Sequence, residues 1–323
     1  FNGAICLTAF SLHDEALQNV ACALRIAREA RNRHAEESAH ALSASCYFMM
    51  GDLARARKAV EAVPSTTENK VNIAYVCAWG TLVGLYLDDD DLIARCFDRF
   101  EAVVSAAPEI ETAAAFAEVM VRRGRHRDAA AFLRRAIPHR ELLRGNALTL
   151  LAAGRYGAPE ERMRAREYLV RASIGPLEML ERPALALFDA EACLRDGRPE
   201  PAKVLALQAA AGFRRLRTPL LEAAALEAAG DIGAAYTLFR QCGATYDARR
   251  LACESLLELP KAPDAAATLG VLSAREREIA QLAAAGRSNR EIANQLYIAQ
   301  KTVEKHLASA FQKLGISSRT QLV

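Results

Sequence analysis

The sequence predicts an all-α protein: an array of degenerate helical hairpins over most of its length, then a bundle of four short helices. Three observations predict it. Aromatic residues make up only 6% of the 323 residues and alanine recurs in nearly every block of ten. That composition suits closely packed helices better than β-sandwiches, which want branched and aromatic side chains. Residues 1–259 show 3.6-type periodicity and almost no strict alternation. Residues 271–323 hold eight bases against four acids, whereas the rest holds 34 against 35. A small basic module therefore follows a neutral body, a layout frequent among nucleic-acid binders.

With 52% hydrophobic and 25% charged residues, the chain can bury a sizeable core and is not disordered. No apolar run is read as reaching the roughly 18 residues of a membrane span, so no membrane partner is expected. The chain opens with Phe1, not methionine, as a piece of a longer protein would, and shows no secretory leader.

The body is built around a recurring turn. Helical stretches are broken at Gly51, at Asp88–Asp91, and at Gly124, Gly154, Gly197 and Gly230, a mean spacing of about 36 residues. Glycine supplies a left-handed helix exit, small residues such as Ala56 and Ala129 let the second helix approach, and proline stops it. Across roughly residues 10–258 this resembles a tetratricopeptide array, whose units repeat at about 34 residues. Most of the large aromatic positions of that family are missing.

Chemistry-bearing patterns in the body are weak. Asp88–Asp91 follows a helical stretch and opens another helix, where acids favour the helix dipole, so no metal or phosphoacceptor role is expected. There is no phosphate-cradling glycine loop. His13, His34, His40, His126 and His139 lack a fixed partner and are expected at the solvated surface. The eight cysteines (Cys6, Cys22, Cys46, Cys77, Cys96, Cys193, Cys242, Cys253) form no C-x-x-C pair. They read as mainly buried, reduced thiols of a cytoplasmic protein. No nucleophile–base constellation stands out, so the expectation is no enzyme, no cofactor and no metal.

Residues 260–270 begin Pro260-Lys261-Ala262-Pro263 and read as a linker between a body, 1–259, and a C-terminal domain, 271–323. In that domain Ser273-x-x-Glu276, Ser288-x-x-Glu291 and Ser318-x-x-Gln321 are capping boxes, and Gly286 and Gly315 suit helix exits. Helices are expected over about 273–284, 288–296, 300–314 and from 318. The second and third are joined by only Tyr297-Ile298-Ala299, as in a helix-turn-helix. At 100° per residue, Val303, Leu307, Ala310, Phe311 and Leu314 form the buried side of the third helix. Lys301, Glu304, Lys305, Ala308 and Gln312 face the opposite way, and Thr302, His306, Ser309 and Lys313 form one flank.

Leu272-Ser273-x-Arg275-Glu276-x-Glu278, Gly286-x-Ser288-Asn289-x-Glu291-Ile292-Ala293, Leu296, Ile298, Lys301-Thr302-Val303-x-x-His306 and Lys313-Leu314-Gly315-Ile316-x-Ser318-Arg319 together resemble the LuxR-type helix-turn-helix of bacterial transcription regulators. The resemblance spans Leu272 to Leu322. The full expectation is thus degenerate tetratricopeptide-like helical repeats followed by a four-helix LuxR-type helix-turn-helix domain. The resemblance implies a DNA-binding transcription regulator with Ser288, Asn289, Lys301, Thr302, Glu304, Lys305, His306, Ala308 and Lys313 at the DNA. Glu304, Lys305 and Ala308 fall at base-reading positions, and Thr302, His306 and Lys313 at backbone-facing ones. One departure is Ala299, where the family usually has a Ser or Thr N-cap, a loss of typically ~1 kcal/mol.

The whole layout resembles the C-terminal part of large MalT-like regulators. The expected partners are double-stranded DNA, engaged by a homodimer, and a protein or small-molecule effector at the helical repeats. The fourth helix begins near Ser318, five residues before Val323, so pairing through it is expected to be weak. The alternative is a protein-interaction scaffold with accessory DNA binding.

Overall fold

A computed structural model describes residues 12–104, 113–122, 124–136, 147–174, 180–258 and 300–314, together with positions 275, 276, 279, 282, 289, 292, 293, 296 and 298. Among these the fold is helical, with no strand. The helices are α1 (His13–Glu29), α2 (Arg33–Met49), α3 (Leu53–Glu61), α4 (Lys70–Leu87), α5 (Asp90–Val104), α6 (Ala113–Arg122), α7 (His126–Ala136), α8 (Ala147–Tyr156), α9 (Pro159–Ser173), α10 (Glu181–Arg195), α11 (Pro199–Arg215), α12 (Pro219–Ala228), α13 (Ile232–Cys242), α14 (Thr245–Glu258) and α15 (Gln300–Leu314). The chain divides into two compact units, Phe1–Cys253 and Glu254–Val323. The expected linker, 260–270, lies outside the described residues.

Helix ends in the first unit follow local chemistry. Side chains of Asn32, Asp52, Asn69, Asp89 and Asp231 each accept a backbone N–H three residues on, at 2.9–3.1 Å. These bonds satisfy donors that the first helical turn leaves orphaned. Pro159, Pro199 and Pro219 open α9, α11 and α12, where a missing N–H costs nothing. Asp89 is thus a helix cap rather than a ligand, and it also pairs with Arg57 at 2.9 Å.

The hairpins α2/α3, α4/α5, α6/α7, α8/α9, α10/α11 and α12/α13 stack in sequence. The first helix of each packs on the first helix of the next, in the order α2, α4, α6, α8, α10 and α12. Ala56 and Ala129, on second helices, are fully buried, as close approach requires. Stacked and edge-on rings of Phe97, Phe100, Phe116 and Phe132 tie α5, α6 and α7 together at centroid distances of 4.3–5.4 Å. Cys46, Cys77, Cys96 and Cys193 are buried free thiols, whereas Cys22 and Cys253 are exposed.

The stack curls far enough for α12, α13 and α14 to meet its first two hairpins. The Thr245 hydroxyl donates to the Leu87 carbonyl at 2.6 Å, and Arg249 pairs with Asp88 at 2.6 Å. Tyr86 and Phe239 rings lie 6.5 Å apart. Gly51, at φ +76°, abuts Pro219 and Cys242: a Cβ there would fall 2.6 Å from the proline Cγ and the cysteine Sγ. The first helices of the stack line the inside of the resulting ring.

Three expectations need correction. Gly154 is not a turn: it lies inside α8, where a Cβ would sit 2.5 Å from the Phe188 ring, and the chain turns at Gly157-Ala158 instead. That glycine is required by helix packing, not by backbone conformation. His13 is buried, with both ring nitrogens unpaired among the described residues. And α4 is an 18-residue helix apolar enough to cross a membrane by length and composition, 61% of it buried. Its neighbours account for that character, because α2, α3, α5 and α6 all pack on it.

Candidate nucleic-acid interface

The second unit is organised around α15. Val303, Leu307 and Ala310 are buried, and Val303 and Leu307 pack with Ile279, Ile292 and Ala293 in a small core that Leu282, Leu296 and Ile298 flank. Every described residue at 275–282 and 289–293 is helical, in agreement with the first two expected helices. The second helix then ends quickly. The Ile298 N–H reaches the Ala293 carbonyl at 3.0 Å, five residues back, in the manner of a Schellman exit. Gln300 already starts α15. Two helices on so short a turn, sharing one core, are a helix-turn-helix.

Among the described residues, two polar contacts help to hold this arrangement. The Arg275 guanidinium donates to the Leu296 carbonyl at 3.0 Å, which anchors the first helix to the turn. The Ser309 hydroxyl donates to Glu276 Oε1 at 2.6 Å, and Glu276 is only 5% exposed. The sequence places Glu276 in a capping box and Ser309 on an outward flank. The fold uses both to fasten α15 against the first helix. The signal available beforehand was an acid and a hydroxyl of opposite helices, both bordering apolar faces.

Lys301, Glu304, Lys305 and Ala308 are exposed together, opposite the buried seam, and Thr302 and His306 are half-buried at its edge. Glu304 accepts a 3.2 Å hydrogen bond from the Gln300 side chain one turn back. Asn289 is half-buried in the helix that precedes the turn. Lys313 lies on α15, but its side chain is outside the described residues, as are Ser288, Ala299 and the expected fourth helix from Ser318. No cluster of His, Cys, Asp or Glu that could hold a metal occurs among the described residues.

A helix with an apolar back and a mixed polar front that carries exposed Lys301 and Lys305, set on a tight turn, defines the C-terminal unit as a helix-turn-helix. Residues 270–323 match the family described as bacterial regulatory proteins, luxR family. They are 43% identical over 53 residues to the spore germination protein GerE of Bacillus subtilis, a span that covers 16% of this chain and 72% of GerE. The chain belongs to the LuxR family through this domain. It is also 46% identical over 55 residues to the transcriptional regulatory protein DegU of Brevibacillus brevis, and 50% identical over 50 residues to YhjB of Escherichia coli. These matches cover 17% and 16% of this chain but only 23% and 25% of those relatives.

Proposed function

We propose that α15 is the recognition helix and enters the major groove of duplex DNA, while the helical array receives the signal or partner that governs binding. The proposed layout is a tetratricopeptide-like body at 1–259, a linker at 260–270 and the DNA-binding domain at 271–323, as in the C-terminal part of MalT-like regulators. One observation carries the reading: Lys301, Glu304, Lys305 and Ala308 are exposed along the side of α15 opposite buried Val303, Leu307 and Ala310. The major groove admits a helix and displays a distinct donor and acceptor pattern for each base pair. Lys305 can donate to guanine, Ala308 can contact a thymine methyl, and Glu304 can accept from a cytosine amine. Thr302, His306 and Lys313 are assigned to the DNA backbone, and Ser288, Asn289 and Lys301 complete the surface.

A single recognition helix offers few base contacts, so the protein is proposed to act as a homodimer across two half-sites. Neither catalysis nor a cofactor enters this reading. The buried free thiols of the body fit a cytoplasmic protein. Selection of bound duplexes from a random pool with the full chain tests the proposal. Enrichment of a two-half-site motif is the expected result. Retention of duplexes without any enriched sequence would favour an interaction scaffold instead.

A further inference from the structure

The inside of the ring holds a cavity of about 470 Å³, within the range of small-molecule sites. Its wall draws on the first helix of each of the six hairpins and on α13 and α14. The wall is about half apolar and half polar, and Phe48, Tyr86, Tyr156, Phe239 and Tyr246 are its aromatic residues. The Phe48 and Tyr86 rings meet edge-on at 5.4 Å, and the Tyr86 hydroxyl has no hydrogen-bond partner among the described residues.

The charged part of the wall has a definite sign. Four carboxylates face three guanidiniums. Arg155 is clamped by Glu191, with contacts of 2.6–3.1 Å to both oxygens. Arg122 pairs with Glu118 at 3.3 Å and covers the Tyr246 ring at 3.7 Å. Those two pairs are balanced. At the third position, however, Arg250 serves two acids, with Glu227 held at 2.7 Å through both oxygens and Asp247 at 3.3 Å. One negative charge is left over at that end of the cavity. Burial pushes the Asp247 carboxyl above the usual range in spite of Arg250 and Arg122. An anionic ligand would find every arginine occupied and a surplus carboxylate opposing it.

We propose that this cavity binds a small organic cation: a molecule with one amine and an apolar, preferably aromatic, body. Its ammonium sits at the Asp247–Glu227 end and restores neutrality, while its body lies against Phe48, Tyr86 and Phe239. Because the cavity is walled by both ends of the stack, occupancy joins the first hairpin to the last. The inference rests on the reading of the helical array as the signal-receiving part.

A matched set of probes tests it: 4-phenylbutylamine, 4-phenylbutanol and 4-phenylbutyrate, titrated into the full chain by calorimetry and by fluorescence. Trp79 is the only tryptophan of the sequence, and its ring lies 5.4 Å from that of Phe48, so it reports on this wall. The amine should bind at least tenfold more tightly than the alcohol, and the carboxylate should bind most weakly. Asp247→Asn and Glu227→Gln should each abolish the preference for the amine. Should either variant fail to fold, the ranking of the three probes on the unaltered chain decides alone. Equal or tighter binding of the alcohol or carboxylate, or no binding of the amine, overturns the proposal. Duplex binding by the same preparation is scored separately: intact DNA binding without amine binding removes only the cavity assignment, and the reverse removes only the recognition-helix assignment.

Discussion

His13 shows how much one side chain can depend on tertiary context. Asp14 and Glu15 beside it suggest an exposed helix start, and nothing local marks the imidazole as buried. Burial nevertheless pushes it from 6.5 down to about 4, against the opposite pull of those two acids. The unfolded chain therefore binds a proton more readily than the folded one, and stability falls as pH drops from about 6.5 to about 4. The full effect amounts to roughly 3 kcal/mol. His13→Leu should remove that loss, as measured by urea unfolding at pH 7 and pH 4.5. An unchanged pH dependence would mean the ring is solvated. On α15, by contrast, residue-level reasoning sufficed. The 100° phase separates Val303, Leu307 and Ala310 from Lys301, Glu304, Lys305 and Ala308, and their burial follows it. Lys305→Ala should relax sequence preference at one base position and cost about 1–3 kcal/mol of specific binding, read from a second round of site selection.

Elements were legible wherever a turn carried its own chemistry. Gly51, Gly124, Gly197 and Gly230 all take the left-handed conformation between paired helices, so the hairpins follow from sequence. Arg31 and Arg217 take it as well, without any residue-type signal, and Gly154 was misread because packing glycines and turn glycines look alike in one dimension. A comparison separates the two demands on glycine. Gly197→Ala meets nothing within 4 Å, so it should cost only the left-handed strain, about 1–2 kcal/mol. Gly51→Ala adds collisions with Pro219 and Cys242 and should cost clearly more. Melting curves of the two variants check the order, and equal losses would deny that the α2/α3 turn is packed against α12 and α13. In the second unit, Ser309→Ala removes one hydrogen bond from buried Glu276 and should destabilise that domain by about 1–3 kcal/mol. The contact joins residues 33 apart, which no local pattern announces.

At the scale of the molecule, the closing of the hairpin stack was the least legible feature. Its contacts link residues 158 and 161 positions apart, and periodicity describes neighbours in sequence, not the curvature that many small packing angles accumulate. The Arg249–Asp88 pair is partly exposed and is worth little. Phe239 is only 2% exposed, and its ring lies 6.5 Å from that of Tyr86. Phe239→Ala should therefore cost about 3–5 kcal/mol and raise hydrogen exchange in α2 and α4, far away in sequence. Exchange confined to α12–α14 would contradict closure. The central claim concerns the other unit: that it grips DNA through the exposed side of α15. Its most direct test is the affinity of the full chain for its selected duplex, measured by anisotropy from ~50 to ~200 mM salt. Affinity should fall steeply with salt, and Lys313→Ala, at a backbone-facing position, should flatten the slope by about one. A slope near zero, or one that Lys313→Ala leaves unchanged together with an unchanged sequence preference in Lys305→Ala, would contradict it.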